Sequence, residues 1–124
     1  MSDQKKALVV EDNDFVRMQI CMFLAAEGYE TVEAIDGKSA LAKINDDIDI
    51  AIVDVRMEPM NGFEFVRMIR NDEVQTPVVL VTGDENSDLL SEASKLNITA
   101  ILKKPIQKER LIKTVSRTLG MERS

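Results

Sequence analysis

Ile48-Asp49-Ile50-Ala51-Ile52-Val53-Asp54 is the stretch on which the fold turns. It is nearly all apolar and it ends in a carboxylate. A strand with one wet face alternates, and this one does not, so it predicts a strand buried on both sides. Runs of the same kind lie to either side. Ala7–Val10 ends at Glu11-Asp12, Pro77–Val81 is followed by Thr82-Gly83, and Thr99–Leu102 by Lys103-Lys104-Pro105. Tyr29–Ala34 alternates and reads as a further strand. Between the strands, helical spacing predicts helices over about Asp14–Glu27, Gly37–Asn45, Gly62–Arg70, Asn86–Leu96 and Gln107–Leu119. Asn13 or Asp12 is placed to cap the first helix and Gly28 to stop it, and Asn97 to end the fourth in the left-handed conformation. Strand and helix thus alternate five times, which predicts an α/β fold with a parallel sheet covered on both faces.

A chain of 124 residues is one domain's length, and no repeat, linker or low-complexity segment divides it. The expectation is a single domain over 1–124, with its core over about 6–119 and no second domain in this chain. No apolar run approaches the roughly 18 residues of a membrane span, and the N-terminus lacks a signal-peptide core, so the reading is cytoplasmic. One cysteine, Cys21, excludes an internal disulfide framework. A net charge of -6 argues against direct nucleic-acid binding. The absence of histidine removes histidine-based catalysis and ordinary zinc sites together.

Ligands of doubly wound sheets bind beyond the carboxyl ends of the strands. The first strand delivers Glu11 and Asp12 there, the third Asp54, the fourth Thr82 and the fifth Lys104. Carboxylates about 4 Å apart repel by roughly 4 kcal/mol in a surface-like dielectric, so the group needs cations. Lys104 supplies one, and a hard oxygen-preferring dication such as Mg²⁺ (or Mn²⁺) suits the rest. Such a metal also neutralises charge as a phosphoryl group moves. Thr82 and Lys104 can then bind phosphoryl oxygens. A nucleotide phosphate site is disfavoured, because the turn after the first strand reads Glu11-Asp12-Asn13-Asp14 and repels phosphate unless metal intervenes.

With these residues in order, the sequence resembles the receiver domain of two-component response regulators, the family of the bacterial chemotaxis response regulator. The likeness runs from about Lys6 to Leu119. It is carried by Val9-Val10-Glu11-Asp12, Arg17, Val53-Asp54, Met57, Met60, Asn61, Gly62, Val81-Thr82-Gly83 and Lys104-Pro105. The resemblance implies a flavodoxin-like (βα)5 fold with strand order 2-1-3-4-5. It implies that Asp54 is the phosphoacceptor, that Glu11 and Asp12 hold Mg²⁺ with it, and that the backbone carbonyl of Arg56 completes the protein ligands. It implies that Thr82 and Lys104 contact the phosphoryl group. The implied donor is a phosphohistidine on a sensor histidine kinase or phosphotransfer protein. The implied output is a downstream protein or domain at the face of the fourth helix, fifth strand and fifth helix, with a monomer or weak dimer expected.

Three positions depart from the family pattern. Glu58 stands where proline is usual, with Pro59 one step later, so a changed loop path with an intact site is expected. Glu11 replaces the commoner Asp. Ile101 replaces the aromatic switch residue, which puts the usual readout in question. Arg56 and Asp84 occupy positions flanking the phosphoryl group, where an Arg–Asp pair would shield an acyl phosphate from water.

On the first helix Val16, Ile20, Phe23, Leu24 and Glu27 share one face, and the apolar members suit packing on the sheet. Met18, Cys21, Met22 and Ala25 form a second stripe, expected to dock the kinase or phosphotransfer protein. Lys103 and the cations Lys108, Arg110, Lys113 and Arg117 read as solvated charges. Two other classes of function fit parts of the same pattern. A receiver-like interaction module with atypical readout is the alternative, supported by Ile101. An aspartate-nucleophile phosphatase is disfavoured, because Arg56 stands where its general acid belongs.

Overall fold

The structure is a computed structural model that describes residues 4–83 and 87–120. Its elements are β1 (Lys6–Val10), α1 (Asp14–Ala26), β2 (Glu30–Ala34), α2 (Gly37–Lys43), β3 (Ile50–Asp54), α3 (Gly62–Asn71), β4 (Val78–Thr82), α4 (Ser87–Lys95), β5 (Ala100–Lys103) and α5 (Lys108–Thr118). The five strands form one sheet in the order β2-β1-β3-β4-β5, every pairing parallel. The predicted alternation and strand order are both observed.

The central strands explain the stability of this arrangement. Every residue of β3 and of β4 is buried. Along them, alternate side chains enter two separate cores. Ala51, Val53, Val78 and Leu80 pack with Phe65, Val66 and Ile69 of α3. Ile50, Ile52, Val79 and Val81 pack with Ile20 and Leu24 of α1 and with Leu111 and Val115 of α5. Each fully buried aliphatic chain contributes about 1.5–3 kcal/mol, so a strand apolar on both faces is tolerated only where helices cover both.

Element ends follow from local hydrogen bonds. Asn13 caps α1, its Oδ1 accepting from the Val16 N–H at 3.0 Å. Asn97 adopts the predicted left-handed conformation (φ 56°), and the Ile98 N–H returns to Ala93 O at 3.0 Å. Tyr29 falls outside β2 because its N–H is used by the end of α1, on Leu24 O at 3.1 Å. β3 starts at Ile50 because its ladder with β1 begins at the pair Ala7↔Ile50. Asp54 is consequently the last residue of the strand, paired with Val81 in the β4 register.

The second stripe of α1 needs one correction. Met18 and Met22 are exposed, at 51% and 62%, as expected, and Ala25 is exposed too. Cys21 is not on that surface. It packs half-buried against the core shared with α5, with Thr31 as its hydrogen-bond partner, and burial pushes its thiol pKa up. Phe15, outside the expected stripe, joins it at 67% exposure. The rotation follows from Ile20 and Leu24 facing the sheet, which turns residues 15, 18 and 22 outward together.

Candidate functional site

The chain leaves β1 for β2 on one side and crosses to β3 on the other, so the switch point lies between the ends of β1 and β3. The side chains gathered there come from successive strand ends. Glu11 follows β1 directly and is tied to β2, its N–H bonding Ala34 O at 3.0 Å. Asp54 ends β3, and Thr82 ends β4 one residue beyond the Asp54↔Val81 pair. Lys104 follows β5, its N–H bonding Thr82 O at 2.8 Å. Glu11, Asp54 and Thr82 are 1%, 4% and 3% exposed, a burial that polar side chains seldom reach without a role.

One carboxylate oxygen from each of Glu11, Asp12 and Asp54 lies within 4.8 Å of the other two. Lys104 Nζ stands 3.2 Å from Glu11 Oε1 and 3.2 Å from Asp54 Oδ1. Glu11 Oε2 accepts the Asn13 N–H at 3.1 Å. Glu11 Oε1 is fully buried with no donor aligned on it as a hydrogen bond, despite the nearby ammonium. An orphaned buried carboxylate oxygen beside two further carboxylates is a donor set that fits a hard divalent cation. Asp12 is exposed and completes the set from the solvent side, beside Arg56, Met57, Glu58, Asn61 and Leu89, with which it lines an open cleft of about 440 Å³.

The electrostatics agree. Burial raises the Glu11 carboxyl pKa to about 7, and the Asp54 carboxylate adds to the rise, against the Asn13 N–H and Lys104. Asp54 is also raised, by burial first and by Asp12 as well, with Lys104 opposing. Burial lowers the Lys104 pKa, but Asp54 and Glu11 outweigh it and the net shift is upward. Folded Glu11 therefore holds its proton to higher pH than unfolded Glu11, whose ordinary value is 4.5. Ionising it opposes folding, so its contribution falls as pH rises from about 4.5 to about 7 and stays lost above that. Glu11→Gln should then be more stable than wild type at pH 8 by about 1–3 kcal/mol without metal, and the difference should vanish near pH 4. Urea unfolding at the two pH values checks this, and a less stable variant at pH 8 would contradict it.

Loop Val55–Asn61 carries the altered proline position. The Glu58–Pro59 peptide is cis, Met57 is buried in the α3-side core, and Asn61 caps α3 reciprocally with Glu64. The loop closes through the Gly62 N–H on Val55 O at 3.0 Å. Gly62 itself presses on the strand that carries Asp54. A Cβ built there would lie 2.3 Å from Asp54 O. Arg56 is exposed, and its proposed partner Asp84 lies outside the described residues. Ile101 is half-buried and packs with the core on the α3 side.

A family model described as response regulator receiver domain matches residues 7–116. The chain belongs to the response regulator receiver domain family. The receiver is 34% identical over 104 residues to Regulator of RpoS from Escherichia coli (strain K12), covering 83% of this chain and 31% of that protein. It is 30% identical to the CAI-1 autoinducer sensor kinase/phosphatase CqsS of Vibrio cholerae, over 91% of this chain and 17% of that one. The chain therefore spans less than a third of these curated relatives. Among solved structures it is similar to the chemotaxis protein CheY4 of Vibrio cholerae, with TM-score 0.88 and 35% identity, over 94% of this chain and 99% of that chain. Receivers are signalling domains that accept phosphoryl groups in two-component systems and are not generally classed as enzymes. Among the described residues, no helix is long and apolar enough to cross a membrane.

Proposed function

We propose that Asp54 of this receiver is the phosphoacceptor and that Glu11, Asp12, Asp54 and the Arg56 carbonyl hold Mg²⁺ (or Mn²⁺) beside it. The observation that carries this reading is the convergence of three carboxylates on one ammonium that stands 3.2 Å from two of them. The donor is a phosphohistidine of a sensor kinase or phosphotransfer protein. Its P–N bond breaks as Asp54 forms a P–O bond, leaving an acyl phosphate. When bound, the cation neutralises the charge of the phosphoryl oxygens. Lys104, already on Asp54 Oδ1, keeps one charge-assisted bond to the new anion. Thr82 supplies a hydroxyl donor from the end of β4. Attack of water on phosphorus returns Asp54 and ends the signal.

Phosphorylation adds about -1.5 to -2 charge at the cluster and biases two states of the surrounding loops. A partner reads the α4, β5 and α5 face. The test is incubation with a small phosphodonor and Mg²⁺, followed by intact mass. One added phosphoryl group supports the reading, and none in the wild type removes it.

The exposed stripe of α1 is the proposed docking face for the donor, with Phe15 added to Met18 and Met22. Met suits adaptable helical interfaces, and three exposed large apolar chains in two turns exceed scattered surface residues. Met22→Glu should slow transfer from the cognate kinase on the order of tenfold, through loss of one anchoring contact. Transfer from a small phosphodonor should be unaffected. Equal losses with both donors would refute the docking role.

A further inference from the structure

Arg17 belongs to none of the groups that meet the acceptor, yet its side chain is only 13% exposed, and its bonds tie the acidic turn to β2. Its Nη1 donates to Glu11 O at 2.8 Å, the carbonyl of the residue whose side chain enters the cluster. Its Nε donates to Glu33 Oε1 on β2 at 2.9 Å, and its Nη2 to Asp14 Oδ1 at 2.6 Å. Its own N–H bonds Asn13 O at 2.9 Å as part of α1. One planar guanidinium thus joins β2, the first turn of α1 and the peptide between Glu11 and Asp12.

That peptide has few other restraints. β1 ends at Val10, so Glu11 O lies past the end of the strand. The Glu11 N–H is held by Ala34 O and its side chain by the Asn13 N–H and Lys104. The orientation of the 11–12 peptide sets where the Asp12 carboxylate points, and Asp12 is the exposed member of the cluster. We infer that Arg17 is a positioning residue for the cation site: by clamping Glu11 O between the Asp14 and Glu33 carboxylates, it aims Glu11 and Asp12 together at Asp54. The inference rests on the proposed role of the cluster. Arg17 donates to no carboxylate of the cluster itself, so it works through backbone geometry and not through a direct bond to a ligand oxygen.

A fork of three donors is required, because the three acceptors lie on separate segments. Lysine places one point charge and cannot span them. Outer partners of this kind typically set metal affinity by 10- to 100-fold.

The experiment is Mg²⁺ titration by calorimetry of the wild type, Arg17→Met, Arg17→Lys and Glu33→Gln, with thermal melting in parallel. Arg17→Met should weaken Mg²⁺ binding about tenfold or more, Arg17→Lys nearly as much, and Glu33→Gln, which loosens the clamp without removing it, about threefold. Phosphorylation by a small phosphodonor should need correspondingly more Mg²⁺ for half its maximal rate, while the maximal rate is kept. A lowered melting temperature with unchanged Mg²⁺ affinity in Arg17→Met would make Arg17 merely structural and overturn the inference. Should Arg17→Met not fold, Glu33→Gln decides alone, and unchanged affinity there overturns it. A wild type that binds no Mg²⁺ would remove the proposed cation site itself, a different failure from equal binding by all four proteins.

Discussion

Asp54→Asn will take up no phosphoryl group from any donor, and without metal it will unfold at a higher temperature than the wild type. The first result follows from chemistry. An amide has no anionic oxygen to form an acyl phosphate, and on the proposed reading no other carboxylate of the cluster replaces it. Asp12 is exposed to solvent, and Glu11 is held by the Asn13 N–H and by Lys104. The second result follows from burial. Asp54 is 4% exposed beside Asp12 and Glu11, and burial is the largest influence raising its pKa. The folded carboxyl therefore binds its proton to higher pH than the unfolded one. Its contribution to stability therefore falls as pH rises above the ordinary value of 3.8 and is fully lost above the raised folded value, a cost that asparagine is spared. The stabilisation should appear at pH 8 and fade on acidification as the wild-type carboxyl takes up its proton. Added Mg²⁺ should reverse the order. A ligand of the folded state stabilises by about 2.7 kcal/mol at a hundred times its Kd, and on the proposed reading the variant loses a metal ligand. Residual phosphorylation of the variant, or a lower metal-free melting temperature at pH 8, would contradict the argument.

Gly62→Ala is the second large effect, and here the fold suffers first. Gly62 shows no unusual backbone angle. Its requirement is space. A methyl group there would stand 2.3 Å from Asp54 O, 3.0 Å from Val53 Cγ1 and 3.1 Å from Asp54 C. Two of these are backbone atoms of a fully buried central strand and cannot rotate away. Relief requires the 55–61 loop to lift, which breaks the Gly62 N–H bond to Val55 O. Overpacking of this kind costs about 1–3 kcal/mol or more. For a domain of this size the loss in Tm is on the order of 10 °C. Because the displaced atoms belong to Asp54, phosphorylation should slow as well. Gly83→Ala is the control, since a Cβ there meets nothing within 4 Å, and its stability should stay within about 0.5 kcal/mol of wild type. Thermal melts of the two variants suffice, and equal Tm values would remove the steric argument.

The fold was legible because its signals are local. β3 and β4 are apolar on both faces, and such strands exist only inside a layered α/β sheet. Asn13, Asn97 and Gly28 punctuate helices through bonds within a few residues. The acidic turn after β1, Asp54 after its apolar run and Lys104 before Pro105 were likewise readable as strand ends. Boundaries moved by a residue or two where a neighbouring element claimed the N–H, as at Tyr29.

On α1 the sequence placed the buried face correctly through Ile20 and Leu24, yet put Cys21 outside and passed over Phe15. Helical period alone assigns a residue at the edge of a stripe to either side. The position of β2, where Thr31 meets Cys21, makes the choice.

By itself, then, the sequence determined the residue kinds and the order of strands that carry them, because periodicity and turn chemistry are written within a few neighbouring residues. Only the tertiary structure decided distances. Lys104 lies equally near Glu11 and Asp54, Gly62 leaves no room for a Cβ against the Asp54 carbonyl, and Arg17 ties the acidic turn to β2 and α1. Each of these contacts joins segments far apart in the chain. It is set by parallel register and by how closely layers pack, which no short stretch of residues encodes.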